Sequence, residues 1–318
     1  MKDQRPFISI IIAIFNAQQT LAKCLSSIEK LDYPNFEIIA VDDGSTDSSA
    51  EICQTFPSVR FISQDNSGPS AARNRGVSLA KGNIIAFTDA DCIVDPDWLN
   101  ELVNGFHSDQ VAGVGGNQLS PADESAFGRL VQDGFHLLGF ATSYAQTPTR
   151  TTAVSHNPSC NASYQKQIFD EHGGFDESLW PGEDLDLDTR LLNSGKILVR
   201  QPRAIVRHYR PATSTQLARM MSRYGRSARK LHYRYGIFRP LNLLPFLTPF
   251  GALACGLLMF FYPIVLAVSL VIVLGLFGWQ VMVYRSLSRA ATLIWIIVLI
   301  VAAWHTGYYR EMFQTIQT

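Results

Sequence analysis

Beyond Asp188 the chain carries a single acidic residue, Glu311, although its 27 acidic and 27 basic residues balance. Zero net charge therefore hides an acidic front and a basic rear, and says nothing of partners. From Leu241 to Tyr284 charge is absent altogether. That tract is too long for one bilayer crossing of roughly 20 residues. It also lacks the polar faces that helices of a soluble core would need. Prolines at Pro245, Pro249 and Pro263 punctuate it, and a break at Tyr262–Pro263 gives expected spans 243–261 and 264–283. A third, 290–306, follows the charged link RSLSR. Arginines before the first span, with Arg285 and Arg289 after the second, put those flanks in the cytoplasm and the tail 308–318 outside.

Cysteine is sparse, and its five copies form no C-x-x-C pair, which points to a reducing compartment and away from zinc. No small-residue cleavage site follows Lys2, Arg5 and FISIIIAIF, so that run reads as a buried strand and not a signal peptide. The sequon Asn161-Ala162-Ser163 lies on the side assigned to the cytoplasm, where glycosylation is not expected. Internal repeats and low-complexity tracts are missing too.

What is present in the first half is alternation. Phe7–Phe15, Phe36–Val41, Val59–Ile62 and Ile84–Phe87 read as strands, with helices over Gln18–Leu31, Thr46–Thr55 and Pro69–Ala80 between them. This predicts an α/β fold with a mostly parallel sheet, in which ligands bind beyond the carboxyl ends of the strands. Those ends carry Asn16, then Asp42 and Asp43, then Asp89 and Asp91. A further helix is expected from Pro96 with Asp95 as its cap. Val111–Thr152 gives no clear pattern, a helix is expected over Glu183–Asn193, and a strand over Lys196–Arg200.

Asp89-Ala90-Asp91 ends the strand in NIIAFTDADCIVDP, where clustered carboxylates oppose one another's ionisation. A hard cation, Mg²⁺ or Mn²⁺, would relieve that repulsion and face a bound diphosphate. A D-x-D triplet also arises by chance, as in Asp186-Leu187-Asp188; position at a strand end distinguishes the first. In VDDGSTDSS, Asp42 or Asp43 could accept hydrogen bonds from a base or ribose while Gly44 allows the turn, and Ser45 or Thr46 would equally serve as a helix cap. Glu183 and Asp184 open a helix after Pro181-Gly182, a junction that can hold a carboxylate near a reacting carbon as a general base.

Taken together and in order, SIIIAIFNAQQTLAKCLSSI, IIAVDDGSTDSS, NSGPSAARNRGVSLAKGNIIAFTDAD and GGFDESLWPGEDLDLDTRLLNSG resemble the inverting glycosyltransferases of family 2, with a GT-A nucleotide-sugar-binding fold, over Phe7–Tyr209. The resemblance implies a catalytic domain over residues 1–210. Asp43 and Asp42 would contact the uracil or ribose, with Phe15 and Asn16 nearby. Asp91 would be the principal metal ligand, Asp89 would lie against the metal and sugar, and Asp184 would be the base, supported by Glu183. It also offers Arg73 for the donor phosphates and His208 for the metal shell. Ala13 stands where the family often has proline. Gln216 and Arg219 match part of the Gln-x-x-Arg-Trp motif of processive members, but Met220 replaces the tryptophan, which removes a stacking surface and favours a single addition.

Residues 211–240 read as a basic amphipathic helix. Leu217, Met220, Met221, Tyr224, Ala228, Leu231 and Tyr235 form its apolar stripe, and Arg219, Arg223, Arg226, Arg229, Lys230 and Arg234 the basic face. Such a helix suits the interface of an anionic leaflet. With a membrane tract directly behind it, the bilayer and not nucleic acid is the expected anion. Gln216, Arg219 and Arg223 would face an acceptor lipid. The expected partners are a nucleotide-sugar donor, a polyprenyl-linked acceptor, membrane lipids and other glycan-assembly proteins. The expected site is the inner (plasma) membrane, multi-pass, with the catalytic domain cytoplasmic, as in exopolysaccharide assembly. Two alternatives are a polyprenyl-phosphate sugar synthase and a non-catalytic scaffold.

Overall fold

A computed structural model describes residues 5–138, 150–236, 243–261 and 263–316. The expected break at Tyr262 and the end of the expected basic helix, 237–240, lie outside the described residues. The chain divides into two compact units, Met1–Glu124 with Ala141–Arg210, and Ser125–Phe140 with Pro211–Thr318.

In the first unit the alternation becomes a sheet. Strands β1 (Ile8–Ile14), β2 (Phe36–Asp42), β3 (Val59–Ser63) and β4 (Ile84–Asp89) run parallel in the order β3-β2-β1-β4, joined by helices α1 (Leu21–Ile28), α2 (Ser49–Gln54) and α3 (Pro69–Ser78). Then come β5 (Cys92–Val94), α4 (Trp98–Gly105) and β6 (Val111–Leu119); α5 (Ala126–Leu137) belongs to the second unit. The chain returns through β7 (Thr152–Ala153), β8 (Asn161–Gln165), α6 (Lys166–Glu171), α7 (Glu183–Asn193) and β9 (Ile197–His208). The sheet continues β4-β8-β6-β9-β5, with β8 antiparallel to both neighbours and β6 parallel to β9. It is thus a mixed sheet with an unbroken parallel half.

The β1 register explains both its sequence and the site. Ile8, Ile10, Ile12 and Ile14 face one core with α1 and α4, while Ile11 faces another with α3, α6 and α7. A strand covered on both faces needs a continuous apolar run. Each isoleucine so buried contributes about 1.5–3 kcal/mol. Ile14 pairs with Asp42 and Ala13 with Asp89, so the carboxyl ends of β1, β2 and β4 lie side by side.

Three expectations change. Helix α4 starts at Trp98, not Pro96, and the Asp95 carboxylate, expected to cap it, instead meets Arg207 at 3.2 Å because β5 pairs with β9 at Ile93 and Arg207. Strand β9 does not stop at Arg200. Its partner on β6 jumps from Gly115 opposite Arg200 to Asn117 opposite Ile205, and this bulge absorbs Pro202, whose carbonyl accepts from Asn117 Nδ2 at 2.7 Å. Ser125–Phe140, assigned by sequence to the catalytic domain, groups with the second unit, where Gly134 packs toward Leu293, Ile296 and Ile300. Asn161 of the sequon is fully buried, with its amide bonded to Trp98, Asn117 and Ala204.

The second unit holds α8 (Ser214–Tyr235), α9 (Leu244–Phe261), α10 (Pro263–Tyr284) and α11 (Leu287–Ile316). Among the described residues, one stretch, Leu287–Gln314 in α11, can cross a bilayer by length and composition; the apolar stretches Leu247–Leu258 and Val268–Tyr284 are shorter. Three crossings are therefore not shown. Helix α11 continues to Ile316 and buries Tyr308 to 1% exposure. The apolar stripe of α8, expected to lie in a leaflet, instead meets α11: Leu217, Met221 and Leu231 are buried, and Tyr308 Oη bonds His232 Nδ1 at 2.8 Å.

Glycine permits that crossing. A Cβ on Gly225 would lie 1.9 Å from the Trp304 carbonyl oxygen, and one on Gly307 would lie 1.9 Å from that of Ser222. Both neighbours are backbone and cannot step aside. Gly225→Ala is expected to cost about 1–3 kcal/mol, the usual penalty of overpacking, read as a lowered unfolding midpoint of the full chain in detergent. An unchanged midpoint would mean that the helices separate without loss.

Candidate active site

The nucleotide-side turn is built by the ends of β1 and β2. Phe15 is half exposed, and Asn16, in left-handed backbone at φ 51°, accepts from Thr46 N at 2.8 Å through Oδ1. Gly44 follows at φ 76°, a region costly for other residues. Asp42 and Asp43 are both buried but differently employed. Asp43 accepts from Gln64 Nε2, Ser67 N and Gly68 N, each at 2.8 Å, and so fastens the loop that leads into α3. Among the described residues, Asp42 accepts only from Ser45 N, at 3.3 Å, and its Oδ1 is buried with no partner. A buried acceptor left bare costs about 1–3 kcal/mol. Of the two carboxylates offered by the sequence, Asp42 is the one with capacity for a ligand N–H.

Arg73, on α3, is buried between two carboxylates. Its Nη2 lies 2.7 Å from Asp89 Oδ1 and its Nη1 2.6 Å from Glu183 Oε1, which ties α3 to the end of β4 and the start of α7. Both terminal nitrogens, expected at donor phosphates, are thus engaged by the protein. Burial opposes the charge of Arg73, yet Asp89 and Glu183 more than offset it and raise its pKa further. Glu183 is raised to about 7 by burial, reinforced by Asp184 and opposed by Arg73.

Asp184 is less enclosed, its side chain 16% exposed. Its Oδ2 accepts from Ser159 N at 3.0 Å and its Oδ1 from Leu185 N at 2.7 Å, so the carboxylate is held at the α7 N-terminus, where the helix dipole favours negative charge.

Asp89, Asp91 and His208 bring donor atoms within 4.8 Å of one another. His208 arrives because β5 pairs with β9 at Cys92 and His208. Its Nε2 lies 3.3 Å from Asp91 Oδ1. Burial works against the imidazolium, but Asp91 and the nearby Cys160 sulfur raise its pKa to about 10. Burial likewise opposes ionisation of Asp91, and His208 pulls its carboxyl below the usual range. Two carboxylates and an imidazole fit Mg²⁺ or Mn²⁺, and the Asp91 side chain keeps 45% of its surface open.

Several neighbours escaped the sequence reading. Cys92 and Cys160 stand with His208 in a second donor cluster, although their spacing gave no sign of it. The chance triplet proved structural: Asp186 pairs with Arg190 at 2.8 Å, and Asp188 accepts from His156 Nδ1 at 2.8 Å. His156 could not be found from sequence, because only the fold places it beside α7. Gln216 and Arg219, expected to face the acceptor, are exposed on α8 of the second unit and Arg223 is half-buried there. Residues 139–149, inside the Val111–Thr152 segment that gives no clear pattern, lie outside the described residues.

Among curated relatives, glycosyltransferase GlyA of Streptococcus pneumoniae is 37% identical over 137 residues, 42% of this chain and 19% of that protein. The chain thus spans well under two thirds of that relative's length. A Methanococcus voltae protein, dolichyl N-acetyl-α-D-glucosaminyl phosphate 3-β-D-2,3-diacetamido-2,3-dideoxy-β-D-glucuronosyltransferase, is 26% identical over 275 residues, 80% of this chain and 84% of that one. Among solved structures, the mannosyltransferase PcManGT from Pyrobaculum calidifontis, in complex with GDP-Man and Mn²⁺, superposes with TM-score 0.67 at 20% identity, covering 94% of this chain and 88% of that one. That likeness extends to the fold, which is GT-A-like. The family described as glycosyl transferase family 2 matches residues 9–173, just over half of the 318. On that match the chain belongs to glycosyl transferase family 2.

Proposed function

We propose that the chain is a membrane-bound, inverting enzyme. It moves one sugar from a nucleoside-diphosphate sugar, UDP-linked in the first instance, to a polyprenyl-linked glycan in the making of exopolysaccharide or another cell-surface polysaccharide. The observation that carries this reading is the Arg73 bridge. It holds Glu183, next to Asp184, together with Asp89 of the D-x-D pair, so a base and a diphosphate-facing site belong to one frame. The dolichyl-linked substrate in the name of the Methanococcus relative supports a polyprenyl acceptor. The GDP-Man of PcManGT keeps GDP-sugars in the comparison.

In this reading Asp184 takes the acceptor hydroxyl proton, the oxygen attacks the anomeric carbon, and the carbon–diphosphate bond breaks on the opposite face, inverting the centre. Asp42 Oδ1 accepts from the base, with Phe15 beside it. Asp89, Asp91 and His208 would hold Mg²⁺ or Mn²⁺, which when bound supplies neutralisation of the leaving diphosphate's charge. Helices α9 and α10 expose large apolar side chains, among them Phe250 at 73%, Phe260 at 80% and Met282 at 71%. Apolar faces of that extent suit lipid better than water. The chain then lies in the inner (plasma) membrane by several spans, with the catalytic unit cytoplasmic. Gln216, Arg219 and Arg223 of α8 face headgroups and the acceptor's phosphates.

The test is release and transfer in detergent, with UDP- and GDP-sugars, Mg²⁺ or Mn²⁺, and extracted polyprenyl-linked lipid, beside Asp91→Ala. Nucleotide release that needs the cation, falls at least 100-fold in Asp91→Ala or on chelation, and rises with lipid is the expected result. A product with one sugar joined to the lipid through one phosphate would instead make the chain a polyprenyl-phosphate sugar synthase. Donor binding without turnover under every condition would favour a scaffold.

A further inference from the structure

Asp188 is fully buried and accepts three hydrogen bonds, from His156 Nδ1 at 2.8 Å, Asn157 N at 2.7 Å and Tyr164 Oη at 2.8 Å. A carboxylate taken out of water is costly unless so compensated. Because Asn157 N and Tyr164 Oη already donate to it, Asp188 serves as an acceptor, so Nδ1 of His156 carries the proton it donates. That fixes the tautomer and leaves Nε2 to the other side of the ring. There Nε2 lies 3.9 Å from Asp184 Oδ2, while the His156 side chain remains 18% exposed. A buried carboxylate, an oriented imidazole and a second carboxylate thus stand in series across α7.

We propose that His156 is a positioning residue for Asp184 and the next station for its proton. This inference rests on the reading of Asp184 as the base. When the acceptor O–H bond breaks, the proton goes to Asp184 Oδ2. Because 3.9 Å is too long for direct transfer, it then passes through one solvent water from Asp184 to Nε2 of His156, which restores the carboxylate and leaves an imidazolium beside Asp188. The imidazolium loses the proton to water at its exposed edge. Among the described residues, the titratable groups that face the ring are Asp184 and Asp188 of α7, with Tyr164 of β8 behind Asp188. On the same helix Glu183 is turned to Arg73 and Asp186 to Arg190.

The variant that isolates this role is His156→Asn, whose amide N–H keeps the bond to Asp188 but offers Asp184 nothing. Its kcat for transfer is expected to fall 10- to 100-fold with the donor KM within twofold of the parent. The acid limb of the kcat–pH profile is expected to move down by at least one pH unit, because the relay in the parent needs Nε2 of His156 unprotonated and the variant has no such requirement. In His156→Ala, added imidazole is expected to restore at least fivefold. Donor binding by calorimetry checks that both variants are folded. If Asp184→Asn abolishes transfer while His156→Asn keeps its kcat and its acid limb in place, this inference alone is overturned. If Asp184→Asn transfers sugar normally, the base assignment falls and this inference with it.

Discussion

Asp184→Asn is expected to lower kcat by about 10²–10⁴-fold, the usual contribution of a positioned general base, while donor affinity changes little. The substitution preserves shape, and its amide oxygen can still accept from Ser159 N, which Asp184 Oδ2 now does at 3.0 Å. What is lost is the ability to take a proton, together with the bond that Oδ1 accepts from Leu185 N. Glu183 cannot stand in, because it is 2% exposed and turned into Arg73. Initial rates of sugar transfer, beside calorimetric binding of the nucleotide sugar, separate the two effects. A variant with more than a tenth of the parental kcat would show that another group removes the proton.

Arg73→Met is expected to destabilise the fold by about 3–5 kcal/mol, the range for removing one partner of a buried ion pair, and to abolish transfer. Two carboxylates then lose their common counter-charge, and the helix that carries Asp184 loses its tie to β4. The deficit should depend on pH, with a sign set by Glu183. Its pKa is raised to about 7 in the fold from 4.5, so its contribution to stability is present below about 4.5 and lost as pH rises through about 7. Without Arg73 the ionised form is worse still, so the deficit is largest above neutrality and shrinks toward pH 5. Denaturant unfolding of the full chain in detergent at the two pH values measures this. Glu183→Gln in the Arg73→Met background should recover part of the loss. A deficit below about 1 kcal/mol at pH 8 would show that water reaches the bridge and replaces the guanidinium.

The parallel half of the sheet was legible because burial on both faces leaves a plain trace, as in the isoleucines of β1. The strand-end carboxylates followed from it, since parallel strands in register bring their carboxyl ends together. The mixed half was not. Residues Val111–Leu119 are nearly all buried, yet their glycines give no β signal, and the bulge that carries β9 past Pro202 leaves no trace in the sequence. Site chemistry that depends on long-range placement was also hidden: Arg73 reads as a surface helix residue until α7 folds over it. His156 likewise gains a role only from Asp188 and Asp184. The stripe on α8 was correctly read as apolar, but sequence could not choose between lipid and α11 as its cover.

The irregularity between β6 and β9 also makes one stretch of backbone intolerant of length change. Side chains alternate across a strand, so a slip of a single residue turns every following one to the opposite face. Between Arg200 and Ile205 the bulge absorbs the surplus chain, after which Val206 meets Val94, Arg207 meets Ile93 and His208 meets Cys92. Deletion of one residue there would leave the composition of the site intact and yet aim His208 away from Asp91 and Arg207 away from Asp95. The Asp89, Asp91 and His208 cluster is thus sensitive to spacing at a point where none of its side chains is present, and a homologous chain with an indel in this bulge is expected to place a different residue beside the two carboxylates.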